Sequence, residues 1–144
     1  MTCSKNILLV EDDKNDQFFF KMAIKNIGNV VLQDIAEDGI AAIAKLESLP
    51  VLPDLIFMDI NMPRMNGLEC LAEIAKSEHL KKIPVIMLST STLEVEETRA
   101  LGARAFIRKP CNGDLLKEKL ELMINQDFSK DNPTANQTFE SCLL

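Results

Sequence analysis

Four apolar runs in this chain end on residues able to do chemistry. "NILLV" (6–10) runs into Glu11, Asp12 and Asp13, and "LIFM" (55–58) ends on Asp59. "VIML" (85–88) ends on Ser89 and Thr90, and "AFI" (105–107) is followed closely by Lys109 and Pro110. Gathered in one pocket, the carboxylates would repel one another strongly, and their proximity would be tolerable only with a cation. All-oxygen ligation without His or Cys selects a hard ion, Mg2+ or Mn2+, held by one or two carboxylates and by phosphate oxygens. A carboxylate beside such an ion, with a hydroxyl and a lysine at hand, describes phosphoryl transfer. Asp59 would be the nucleophile that forms an acyl phosphate, Lys109 a point-charge partner of the phosphoryl group, and Ser89 a hydrogen-bond donor to one of its oxygens.

The elements that could bring these ends together are legible in the hydrophobic pattern. Short continuous apolar runs at 6–10, 30–35, 53–59, 83–89 and 105–107 predict strands buried on both faces. Between them the spacing turns helical. Phe20, Ile24 and Ile27 mark one face of a helix from Asp16 to Ile27, stopped at Gly28-Asn29, and Asp38 caps a second helix over 38–49. Asn66 with Glu69 reads as a capping box for a third helix, and Ser91 with Glu94 as another for a fourth that runs to about Leu101. The last helix spans 112–124, with Leu116, Leu120 and Met123 inward. Strands alternating with helices call for a parallel sheet covered on both faces, an α/β fold of three layers, doubly wound. In such sheets ligands sit beyond the carboxyl ends of the strands, where the chemically capable residues lie. Residues 1–125 form one domain on this reading, and 126–144, polar and without periodicity, a flexible C-terminal tail.

Composition narrows the function. The 144 residues carry 22 acidic and 16 basic side chains, a net charge of −6, which would repel a nucleic-acid backbone or an anionic lipid surface. No apolar run approaches a membrane span, and "MTCSKN" leads into a strand, not a signal peptide, so a cytoplasmic location is expected. Cys3, Cys70, Cys111 and Cys142 are widely spaced and read as free thiols. His79 reads as solvated, and Met58, Met62, Met65 and Met87 as core or loop residues.

The set "LLVEDD" (8–13), "FMDINMPRMNG" (57–67), "VIMLSTS" (85–91) and "GARAFIRKP" (102–110) resembles the receiver domain of bacterial two-component response regulators, over residues of about 5 to 125. The wording "DINMP" with "SEHLKKIPVIMLSTS" further resembles the stand-alone receivers associated with phytochromes. The resemblance implies a five-stranded flavodoxin-like sheet in the order 2-1-3-4-5. It makes Asp59 the phosphoacceptor, Asp12 the direct metal ligand, Glu11 an acid acting through water, and Asn61 a ligand through its backbone carbonyl. Ser89 and Lys109 become the phosphoryl-binding pair, Phe106 the aromatic switch, and Pro110 a residue preceded by a cis bond. Asn61 and Ser91 stand where the family tunes acyl-phosphate lifetime. The implied donor is a sensor histidine kinase or a phosphotransfer protein. The implied output is an unknown downstream protein or a second copy of the chain, bound through the face formed by residues 91–124.

Blander roles stand beside these. Asp59 could be a turn residue, Lys109 a surface lysine and Phe106 plain core, and Asp13 reads as the first residue of a solvated loop. If Phe20 points inward, Phe18 or Phe19 is exposed and offers a docking patch for the kinase. A rival from another class, a phosphatase with an aspartyl nucleophile, would want an acid two positions after it. That position is Asn61, whose amide cannot protonate a leaving group. A scaffold without phosphorylation would lack the acceptor or a metal acid, and none is missing.

Overall fold

A computed structural model describes residues 4–109, 113–126 and 128. Five parallel strands, β1 (Lys5–Val10), β2 (Val30–Ala36), β3 (Leu55–Asp59), β4 (Val85–Ser89) and β5 (Ala105–Arg108), form one sheet in the order β2-β1-β3-β4-β5. Five helices alternate with them: α1 (Lys14–Lys25), α2 (Gly39–Ser48), α3 (Gly67–Lys76), α4 (Val95–Ala100) and α5 (Gly113–Ile124). Helices α1 and α5 pack together, while α2 meets α3 and α3 meets α4, which makes the three layers. This is the flavodoxin-like order expected.

The all-apolar runs become strands because they are buried on both faces. Every residue of β3 and β4 is buried, and Phe57 and Phe106 are fully so. The rings of Phe20 and Phe57 meet edge to face with centroids 5.3 Å apart, joining α1 to the sheet. Each such aromatic contributes about 1.5–3 kcal/mol by leaving water. Phe20, Ile24 and Ile27 are inward as their spacing predicts, which leaves Phe18, Phe19 and Met22 exposed on α1.

Boundaries differ from expectation where side chains compete for backbone amides. Helix α1 begins at Lys14 because Asp13 caps it, its Oδ1 accepting from the Asp16 amide at 2.9 Å; Asp13 is a cap, not merely a loop residue. The helix ends at Lys25, and Asn29 takes a left-handed backbone (φ 64°) in the turn that follows. The capping box at Asn66 and Glu69 forms with both bonds in place. The one expected at Ser91 and Glu94 does not: Ser91 Oγ accepts from the amide of Leu93 at 3.2 Å, and α4 starts only at Val95, with no side-chain cap bond. The local turn outcompetes the helix for the same hydroxyl.

Helix α5 lacks a basic residue in its last turn, and Lys5 supplies one from β1, its ammonium donating to the carbonyl oxygen of Ile124. Of the expected tail, residues 129–144 and Asp127 lie outside the described residues. Phe128 is buried, and its carbonyl oxygen accepts from Arg104 at 3.0 Å.

Candidate functional site

Strand register decides which residues share the pocket. Val10 lies beside Met58 and Asp59 beside Leu88, while Ser89 lies beside Arg108, so Glu11, Asp59, Ser89 and Lys109 leave the sheet side by side. Two bonds continue the ladder past the strand ends: the Glu11 amide donates to Ala36 O at 2.9 Å and the Lys109 amide to Ser89 O at 2.8 Å. Residues separated by 98 positions thereby become neighbours.

Lys109 is the hub. Its ammonium lies 2.7 Å from Glu11 Oε1, 2.9 Å from Asp16 Oδ2 and 3.2 Å from Asp59 Oδ1. Burial works to lower the pKa of this amine, but the hydrogen bonds to Glu11 and Asp16 and the charge of Asp59 outweigh it and hold the amine above its ordinary range. Burial pushes the Glu11 carboxyl up to about 8, opposed by the Lys109 hydrogen bond and reinforced by the charge of Asp59. Three carboxylates, those of Glu11, Asp16 and Asp59, thus face this one ammonium.

Oxygens of Glu11, Asp12 and Asp59 all lie within 4.8 Å of one another, a metal-binding arrangement. Glu11 Oε2 is buried with no hydrogen-bond partner, so a ligating atom stands ready where the protein itself offers nothing. An all-oxygen set with an unpaired buried oxygen fits a hard divalent ion such as Mg2+ or Mn2+.

The sequence reading missed two residues here. Asp16 joins the Lys109 cluster, and Gln17, buried, donates from Nε2 to the carbonyl oxygen of Glu11 at 2.7 Å and fixes the peptide that carries it. Recognising Asp13 as the cap would have placed Asp16 in the first turn of α1, facing the strand ends.

The remaining expected residues surround this cluster. Ser89 is buried, and its Oγ accepts from the amide of Ser91 at 3.2 Å. Phe106 is fully buried on β5 beside Met87, well behind the strand end. Asn61 is exposed in the loop after Asp59, and Pro110 with its preceding bond lies outside the described residues.

That loop, residues 60–66, is closed by the Gly67 amide, which donates to Ile60 O at 2.8 Å. A side chain at Gly67 would collide with the carbonyl of Asp59 and come within 2.8 Å of Ile60 Cα, so only glycine fits. Arg64 at its corner has a left-handed backbone (φ 64°), which costs a non-glycine residue about 1–2 kcal/mol. Its guanidinium pairs with the buried carboxylate of Asp38. The amide of Ala41 and the Arg64 charge hold that carboxyl below its ordinary value, against the effect of burial.

A pocket of acids and one lysine at the carboxyl edge of a 2-1-3-4-5 sheet defines a class, and comparison with known proteins agrees. The family model for the response regulator receiver domain matches residues 7–121, and this chain belongs to that family. It is 34% identical to chemotaxis protein CheY1 of Helicobacter pylori over 122 residues, covering 82% of this chain and 95% of that one. Its fold is similar to that of the phosphorylated cyanobacterial phytochrome response regulator RcpA, with TM-score 0.75 and 34% identity over 84% of this chain and 91% of the other. It is similar also to the Mn2+-bound form of response regulator Rcp1, with TM-score 0.71 and 33% identity over 83% and 91%. The phytochrome-associated likeness read from "DINMP" therefore holds. Receiver domains work with histidine kinases and downstream target proteins in two-component signalling. No helix among the described residues is long and apolar enough to cross a membrane.

Proposed function

We propose that this chain is a phosphorylation-controlled switch with Asp59 as acceptor, working as a signalling domain and not as a turnover enzyme. The observation that carries the reading is Lys109 bridging Glu11, Asp16 and Asp59 beside the unpartnered oxygen of Glu11. A carboxylate oxygen of Asp59 attacks the phosphorus of a phosphohistidine on a sensor kinase or phosphotransfer protein. The O–P bond forms as the P–N bond breaks, and the leaving imidazole nitrogen keeps the electron pair and takes a proton from solvent water. Glu11, Asp12, Asp59 and the backbone carbonyl of Asn61 would hold Mg2+ or Mn2+, which supplies neutralisation of charge on the transferred group.

Transfer replaces one negative charge at Asp59 by nearly two. Lys109, already 3.2 Å away, is drawn toward the phosphoryl group and away from Asp16. The Ser89 hydroxyl turns to a phosphoryl oxygen and releases the amide of Ser91, loosening the turn before α4. Phe106 follows as the space at the strand end changes, and the face formed by residues 91–124 presents the new state to a downstream protein or a second copy of the chain. Asn61 and Ser91, small and neutral, set the lifetime of the acyl phosphate. Phe18, Phe19 and Met22, exposed on α1 beside the pocket, form the apolar patch on which the donor docks. Net charge −6 argues against nucleic acid and lipid as partners, and the reading places the protein in the cytoplasm.

Incubation of the full chain with acetyl phosphate, followed by intact-mass measurement, tests the assignment. Wild type gains one phosphoryl group with Mg2+ and none after chelation, and Asp59→Asn gains none. Modification that persists in Asp59→Asn, or that ignores Mg2+, sinks it.

A further inference from the structure

We propose that the Asp38–Arg64 ion pair is a positioning device for the divalent-cation site, holding the Asn61 peptide where its carbonyl can ligate. The inference rests on the reading above, in which Asn61 contributes that carbonyl. Neither residue touches the site. What they hold is the loop that leaves it.

The loop from Ile60 to Gly67 is pinned at its two ends by the bond between the Gly67 amide and Ile60 O. Between those ends its corner is Arg64, in a left-handed conformation that a long side chain adopts only when something holds it there. Helix α2 does the holding. The Gly39 amide donates to Met65 O at 3.0 Å, and a side chain at Gly39 would stand 2.6 Å from Met65 Cγ, so helix and loop are in close contact. One residue earlier, Asp38 uses its two oxygens separately. Oδ1 accepts from the Ala41 amide at 2.8 Å and caps α2, while Oδ2 accepts from Arg64.

Capping alone needs only one of those oxygens. The second, on a carboxylate only 1% exposed, is aimed at the loop corner. The competing view makes Arg64 a surface arginine, since 68% of its side chain is exposed, that merely adds stability to the end of α2. The two views part at the metal. A brace on the loop alters ion affinity, and a surface pair alters only the melting temperature.

Calorimetric titration of the full chain with MgCl2 separates them. An exposed pair contributes little, while outer partners of metal ligands matter more, so Arg64→Ala is expected to weaken Mg2+ binding about fivefold. Arg64→Lys, which keeps a charge within reach, recovers part of the loss. Asp38→Asn retains an oxygen for the cap and weakens Mg2+ as Arg64→Ala does, and the double variant loses no more than either single one. At about 1 M salt the difference between wild type and Arg64→Ala shrinks, because the pair is screened. Single losses that simply add, or a lowered melting temperature with Mg2+ affinity unchanged, overturn the inference. Wild type that binds no Mg2+ overturns the metal site itself. Wild type that binds normally while both variants match it overturns only the brace.

Discussion

Two loops border Asp59, and they are built in opposite ways. The loop after β3 is closed on itself at Gly67, tied to α2 through Met65 and Arg64, and followed by a helix whose capping box is complete. The loop after β4 has two 3.2 Å bonds from amides to neighbouring serine hydroxyls and a 3.3 Å bond from the Val95 amide to Thr92 O, leaves Leu93 90% exposed, and leads into a six-residue helix with no side-chain cap. The lesson is a division of labour. On the proposed function, the carbonyl that would ligate an ion must stay put, whereas the segment that would report phosphorylation must have somewhere to go. Stiffness stands on the α2 side of Asp59 and freedom on the α4 side.

The largest test of this contrast is Gly67→Ala. Its new methyl group meets the backbone of Asp59 and Ile60, which cannot yield, so urea unfolding is expected to show a loss of about 3 kcal/mol, at the upper end for overpacking. Equal stability of the variant and wild type would mean that the loop is not rigid. A smaller effect separates the loops directly. Asn66→Ala removes a cap bond and costs about 1 kcal/mol, while Leu93→Ser in the other loop changes stability by less than about 0.5 kcal/mol. Comparable losses from the two would erase the distinction.

The smallest effect is a pH dependence. The Asp38 carboxyl titrates below its ordinary 3.8 in the folded chain, so its stabilisation is present above 3.8 and is lost as pH falls through the lower folded value. Urea midpoints taken from pH 6 down to pH 3 should therefore fall further for wild type than for Asp38→Asn. Parallel curves would show that the carboxylate's partners are no better than water.

Much of the site was legible because it depends on strand ends, and strand ends are marked by where apolar runs stop. Glu11, Asp12, Asp59, Ser89 and Lys109 stand in the pocket that those runs pointed to. What escaped the sequence depends on rotation and on competition. Asp16 faces the pocket only because α1 starts at Lys14, and a start at Asp16 hides that. The Asp38–Arg64 pair has no periodicity to announce it, since it exists only after α2 and the loop after β3 dock. Ser91 and Glu94 have the spacing of a capping box, but the spacing does not say which amide the serine will take.

Lys109 also has a place in time. The ribosome delivers Glu11, Asp12 and Asp59 long before it delivers Lys109, which lies against two of them and follows β5, a strand paired with β4 at the sheet's edge. Until β5 docks, the acids have no ammonium among them and little reason to be buried together. On the proposed reading, the site is complete only once β5 has docked beside β4 and carried Lys109 to the acids.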